Sequence, residues 1–321
     1  MKRQSLVLLI KLLVIVIFIS SATIVAGSDE LKRELLEDIL SQDKPELFDD
    51  YGELQLAKTK MQTIIQGLDS RDVTATTKAW VDLSLRIIDD FELMVNESES
   101  SDPVDHINAV EAADRINMSI NTLNGCPTAE RNGIPMLSML ALMRFYRAEG
   151  KFFEEAARNT GETKLKLDYE RRSSIAYEKG SMPSDASRMA FESRRNERIY
   201  DRDMKSASKD INAARVQCDN AINPSSGFFG SDFMSILKAR DSFESAKGLY
   251  EKHNDKERET ENVIKIEYEI KHAYQRLMLD ALLRVGIYLL ILSFIVVILW
   301  KEFKKWGEEL DDTRLGEELI V

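Results

Sequence analysis

Three histidines (His106, His253, His272) and two cysteines (Cys126, Cys218) are the side chains in this 321-residue chain best suited to metal binding or nucleophilic catalysis. Zinc sites and His/Cys nucleophiles bring such groups together at short, recognisable spacings. Here they lie far apart and form no HExxH, CxxC or other paired pattern. Glycine patterns that cradle phosphate or present a nucleophile, GxxxxGK[ST], GxGxxG and GxSxG, do not occur either. Aspartate pairs at 49–50, 89–90 and 311–312 could act as acid and base. In a chain of net charge -11 they read as solvated surface groups. The expectation is a protein that is not an enzyme, with no catalytic, metal-binding or cofactor-binding residue and no cofactor.

The remaining candidates concern export rather than catalysis. In an oxidising compartment Cys126 and Cys218 could form a disulfide closing a loop of about 90 residues, for ~4 kcal/mol of stabilisation. Cys218 also falls on an apolar helix seam, so a buried free thiol is the alternative. Asn96-Glu97-Ser98 and Asn117-Met118-Ser119 match the glycosylation sequon. Asn96 is expected at a helix end, and Asn117 on a more packed face with Val110, Ala113 and Ile120.

The acidic balance opposes nucleic-acid binding, which needs a concentrated excess of Lys and Arg. Arginines do gather between residues 171 and 205, but Glu178, Glu192, Glu197, Asp201 and Asp203 are interleaved with them. That pattern predicts local ion pairs on a solvated helix face.

With only 14 glycines and 6 prolines, and an abundance of Ala, Leu, Glu, Lys, Arg and Met, the composition predicts an all-α chain. Breaks rich in Gly, Pro, Asn, Asp and Ser fall at 98–105, 124–135, 159–163, 179–185 and 223–232. They delimit helices near 29–41, 45–67, 70–96, 104–123, 135–158, 162–179, 184–222, 231–253 and 257–306. Trp80, Leu83, Ile87, Phe91 and Met94 recur at steps of three and four, giving one apolar face. Tyr200, Met204, Ala207, Ile211, Ala214, Cys218 and Ala221 keep a strict heptad seam. Ile236, Ala239, Phe243, Ala246 and Tyr250 continue it, as do Val263, Ile266, Ile270, Ala273 and Leu277. Three such helices with short loops predict an antiparallel bundle.

Both ends point to a membrane. Lys2, Arg3 and Lys11, the apolar run Leu12–Ile19 and the small residues up to Ala26 have the layout of a secretory signal over 1–26. Cleavage after Ala26 is favoured over Ala22, and an uncleaved anchor over this stretch is the alternative. From Val285 to Trp300 no charge occurs; Arg284 precedes the run, and Lys301, Lys304 and Lys305 come directly after it. Tyr288, Trp300 and Trp306 are placed as an interfacial aromatic belt would be. The expected organisation is an outer helical part over 27–180, a long-helix bundle and stalk over 184–283, a span over 284–300 and a cytoplasmic tail over 301–321. The last bundle helix should run unbroken into the span, since Gly286 is the first glycine after Lys256 and no proline occurs beyond it.

The fold class expected is thus an extracytoplasmic helical bundle with a C-terminal transmembrane helix, single-pass, with the lipid bilayer and a protein partner or a second copy as its partners. The function expected is a protein-interaction or assembly scaffold. A sensory input relaying ligand binding through the stalk is the alternative, and an exported enzyme ranks last.

Overall fold

The computed structural model describes residues 29–222 and 232–318, with the backbone alone for 232 and 309–318. The export signal expected over 1–26 lies outside these residues, as do residues 223–231 of the expected break. Every regular element among the described residues is helical: α1 (29–41), α2 (Pro45–Asp50), α3 (Gly52–Gly67), α4 (Ala75–Ser98), α5 (Pro103–Asn124), α6 (Pro127–Arg131), α7 (Ile134–Asn159), α8 (Thr163–Lys179), α9 (Pro183–Ile222), α10 (Asp232–His253) and α11 (Lys256–Glu318).

The sequence leaves three local features unread. Tyr51 breaks the expected 45–67 helix, with φ -124° and ψ 65°, and its ring packs edge-on to Phe91 at 4.9 Å. Ser70–Asp72 forms one 3-10 turn, and α4 starts only after Thr74, whose hydroxyl and backbone exchange hydrogen bonds with Thr77 in a capping box. Within the 124–135 loop, Pro127 opens the short α6. At the other end α11 continues to Glu318 rather than stopping near 306. Gly307 alone is too weak a breaker among Glu, Lys and Leu.

The chain forms two compact units, one of residues up to Thr160 with Leu165–Asn196, the other of Gly161–Lys164 with Glu197 onward. In the first, α4 packs on α5, and α7 packs on both α3 and α5. The amphipathic stripe read from α4 supplies Trp80, Ile87, Phe91 and Met94, all buried, to a core shared with Leu54, Met61, Ile116, Ile120 and Phe145. The α7/α8 crossing is set by Gly150. A Cβ there would stand 2.7 Å from the Tyr177 ring, while the Gly150 carbonyl accepts a 2.7 Å hydrogen bond from Ser173.

In the second unit α10 packs on α11, and α9 is tied to α10 by Ser245 Oγ donating to Asp210 at 3.0 Å and to α11 by Arg215–Glu269 at 3.5 Å. Tyr200, Met204, Ala207, Ile211, Ala214, Cys218 and Ala221 are all buried, as are Ile236, Ala239, Phe243, Ala246 and Tyr250. So are Val263, Ile266, Ala273 and Leu277, and Ile270 is half-buried. Ala207, Ala214, Ala221, Ala239, Ala246 and Ala273 have no exposure at all. Side chains this small let helices approach closely.

The α10–α11 turn is two residues long. Asn254 takes the left-handed conformation, φ 49°, and the Asp255 amide reaches back to the Tyr250 carbonyl at 3.1 Å, ending α10. Asp255 Oδ1 then accepts from the Arg258 amide, starting α11.

Glycine substitutions separate packing from helix propensity. Gly150→Ala is expected to destabilise by about 1–3 kcal/mol through overpacking against Tyr177. Gly248→Ala, in the interior of α10 with no atom near the added methyl, is expected to stabilise by about 0.5–1 kcal/mol. Denaturant unfolding of both variants checks the pair, and equal signs would contradict it.

Candidate functional site

Three places have the physical character of a site: the exposed apolar run of α11, a buried polar cluster in the second unit, and a charged cleft in the first. The run comes first because its exposure is the most costly. Every large apolar side chain from Val285 to Trp300 is exposed, Leu290 at 72% and Trp300 at 69%, whereas upstream the same helix buries Val263, Ile266 and Ala273. The helix is long and apolar enough to cross a membrane, which points to membrane association. The aliphatic hydroxyl within the run, Ser293, returns its proton to the Leu289 carbonyl at 2.7 Å, so the backbone absorbs its polarity. Arg284 pairs with Asp280 at 2.6 Å on the bundle side, and Lys304 with Glu308 at 3.9 Å on the other. Tyr288, Trp300, Lys301, Lys305 and Trp306 are exposed around the two ends.

The second place was invisible in the sequence. His253, buried at the end of α10, receives or donates a 3.0 Å bond at Nδ1 with the Thr163 hydroxyl, and its Nε2 lies 3.1 Å from Asp203 Oδ2. The partners are 90 and 50 residues away, so no spacing rule could bring them together. A hydroxyl, an imidazole and a carboxylate in line have the makings of a nucleophile relay. The rest of the cluster gives Asp203 other work. Lys252 Nζ donates to it at 2.7 Å, and Arg202 donates at 3.1 Å. Next to it Asp255, also buried, accepts from Tyr200 Oη at 2.6 Å and pairs with Lys164 at 3.1 Å.

The Lys252 ammonium, outweighing burial and helped by His253 and Arg202, holds the Asp203 carboxyl well below the usual carboxylate range. Burial would raise the Asp255 carboxyl, but the Tyr200 and Lys164 donors and the Arg258 amide together keep it low. Burial, with the bond to Asp255, pushes the Tyr200 phenol up to about 12. Two fixed carboxylates thus fasten the start of α8, α9, the end of α10 and the start of α11.

His106 is likewise committed. Its Nε2 lies 2.7 Å from the Ser100 carbonyl, which can only accept, so that nitrogen carries hydrogen. Nδ1 faces both oxygens of Glu149, at 2.9 and 3.1 Å, and the ring stacks on Phe152. Burial raises the Glu149 carboxyl, against the opposing bond to His106. With both ring nitrogens engaged, the pair braces α5 and α7.

The third place is a cleft of about 240 Å³ between α7, α8 and the first turns of α9. Beneath it Glu154 accepts a two-pronged bond from Arg188 at 2.9 and 3.0 Å and another from Tyr177 Oη at 2.9 Å, and Arg158 pairs with it from one turn on. The Arg188 bond, against burial, lowers the Glu154 carboxyl. Glu170 borders the same cleft, and burial raises its carboxyl, against the bond from Asn196.

Both cysteines are free thiols, Cys126 half-buried and Cys218 buried. Burial pushes the Cys218 thiol up to about 11, an inert seam residue. Asn96 is exposed and Asn117 half-buried. No group of three or more His, Cys, Asp or Glu able to hold a metal ion occurs among the described residues.

Because Asp203 is stabilised as a carboxylate, its contribution is present above its unfolded value near pH 4 and is lost as pH falls through the lower folded value. Asp203→Asn is expected to cost about 2–4 kcal/mol at pH 7, with the gap to the native protein narrowing below about pH 4. Urea unfolding at several pH values measures this, and a gap that widens on acidification would contradict it. No family model, no curated protein and no solved structure matches the chain.

Proposed function

We propose that the chain is a single-span membrane protein whose all-helical domain stands outside the cytoplasm and serves as a protein-interaction or assembly scaffold. The observation carrying this is α11, which buries seam residues at one end and leaves the apolar run Val285–Trp300 uncovered at the other. From Ala281 to Trp300 that helix measures about 30 Å, the thickness of a hydrocarbon core. The lysines beyond Trp300 favour a cytoplasmic tail, and the basic start of the chain favours export of the helical region after residue 26.

The buried three-and-four spacing on α9, α10 and α11 supports coiled-coil-like packing in the second unit. Outside the seam, Ile264 and Tyr268, one turn apart on α11, are 61% and 69% exposed, and Met234 and Leu237 are exposed on α10. This apolar surface suits a protein partner or a second copy. A sensory reading has one observation in its favour: α11 joins seam and span in one helix without proline, so a displacement at one end has a direct route to the other.

Protease added outside intact cells is expected to digest residues 27–283 and leave a tag on the tail intact; protection of the outer region would overturn the topology. Cross-linking in mild detergent should recover a partner or a second copy, and monomer alone would remove the scaffold reading. For the sensory reading, cysteine pairs across α9 and α11 should change their cross-linking rate with a ligand.

A further inference from the structure

The buried seam occupies one face of α11, and a second stripe of the same period runs along the side away from it. Starting at Tyr268 and stepping by four and three in turn, the chain reaches Leu279, Leu282, Gly286 and, at the far end, Trp300 and Phe303. No Asp, Glu, Lys or Arg occurs at any of these steps, although Glu267, Glu269, Lys271, Arg276 and Asp280 stand on other sides of the same stretch. The apolar members are open, with Tyr268 69%, Leu279 63% and Phe303 77% exposed. Gly286 lies on the stripe as well. A Cβ added there would meet no atom within 4 Å, so nothing inside one chain calls for the residue that weakens a helix interior.

We propose that this stripe is the contact between two copies of the chain, whose α11 helices pair side by side and parallel from Tyr268 into the apolar run. The inference rests on the single-span reading and names the partner which that reading leaves open. Tyr268 stands about 20 Å along the axis from Ala281, where the hydrocarbon begins, so lipid does not cover the upper part of the stripe. A soluble protein would cover only that part and leave Gly286 to Trp300 bare. A helix that itself continues through the bilayer covers both. A second copy is such a helix, and its own span holds it parallel and at the same height, so each stripe residue meets its counterpart. No like charges meet there, and the Gln275 amide, both donor and acceptor, is able to bond to its own copy. Gly286 then has a use, because it lets the two backbones approach closely where the helices enter the membrane. Lys271 and Arg276 flank the stripe with like charges and add nothing, so the contact depends on the apolar stripe itself.

The test is oxidative cross-linking of the full chain in carbonate-washed membranes, with Cys126→Ser and Cys218→Ala removing the native thiols and one cysteine placed on α11. Gln275→Cys, Leu282→Cys and Ser293→Cys, on the stripe, should form symmetric dimers about tenfold or more faster than Asp280→Cys and Ile291→Cys, exposed on other sides of the helix. Gly286→Leu, added to Gln275→Cys, should leave the helical circular dichroism unchanged and lower the dimer yield about tenfold or more by forcing the helices apart. Equal rates at all five positions, an unaltered yield with Gly286→Leu, or cross-links only to a chain of another mass would each overturn the pairing and leave the span standing. Loss of the chain in the carbonate wash would overturn span and pairing together.

Discussion

From Val285 to Trp300 the large apolar side chains of α11 are exposed among the described residues, and water is a poor solvent for them. At about 1.5–3 kcal/mol for each large apolar side chain left wet, the run carries a cost of tens of kcal/mol, more than a domain's whole net stability. An apolar environment for this segment is therefore the condition on which the rest is arranged. Upstream, the same helix is committed to the second unit through Val263, Ile266, Ala273 and Leu277, so its position is fixed before the apolar run begins. Local chemistry cooperates: Ser293 turns its hydroxyl inward, and no proline interrupts the hydrogen-bond ladder.

The two units solve a different problem with the same means. Both are helical, and each uses a buried carboxylate to join helices distant in sequence: Glu149 with His106 in the first, Asp203 with His253 and Lys252 in the second. Such groups are costly to bury and repay this only when their remaining lone pairs are filled. Asp203 and Glu154 meet that condition, with three donating side chains each. Glu170 does not: its Oε1 accepts from Asn196, and its Oε2 has no partner.

Much of the helical architecture was legible in the sequence, because periodic apolar residues are a local signal. The α4 stripe and the uncharged run before Lys301 are each visible within a few turns, the one buried apart from half-buried Leu83 and the other exposed. The features that escaped the sequence depend on tertiary partners. Tyr51 leaves the helix where its ring meets Phe91, forty residues on, and Thr163, Asp203 and His253 meet only after three helices have packed. Gly150 looks like a propensity defect in α7 until Tyr177 is placed against it. Glu170, one of many glutamates in an acidic chain, becomes distinctive only through the oxygen it leaves unpaired.

The alanine layers of the second unit carry a mechanical consequence. On α9 and α10 the buried alanines alternate with large side chains, Ala207 and Ala214 with Met204 and Ile211, Ala239 and Ala246 with Phe243 and Tyr250, so one turn of sliding would drive a large side chain into the place of an alanine. Only a slip of about two turns brings alanine back to alanine. The polar cluster of Tyr200, Asp203, His253 and Asp255 does not repeat along the helices, and it acts as a pin against that longer slip.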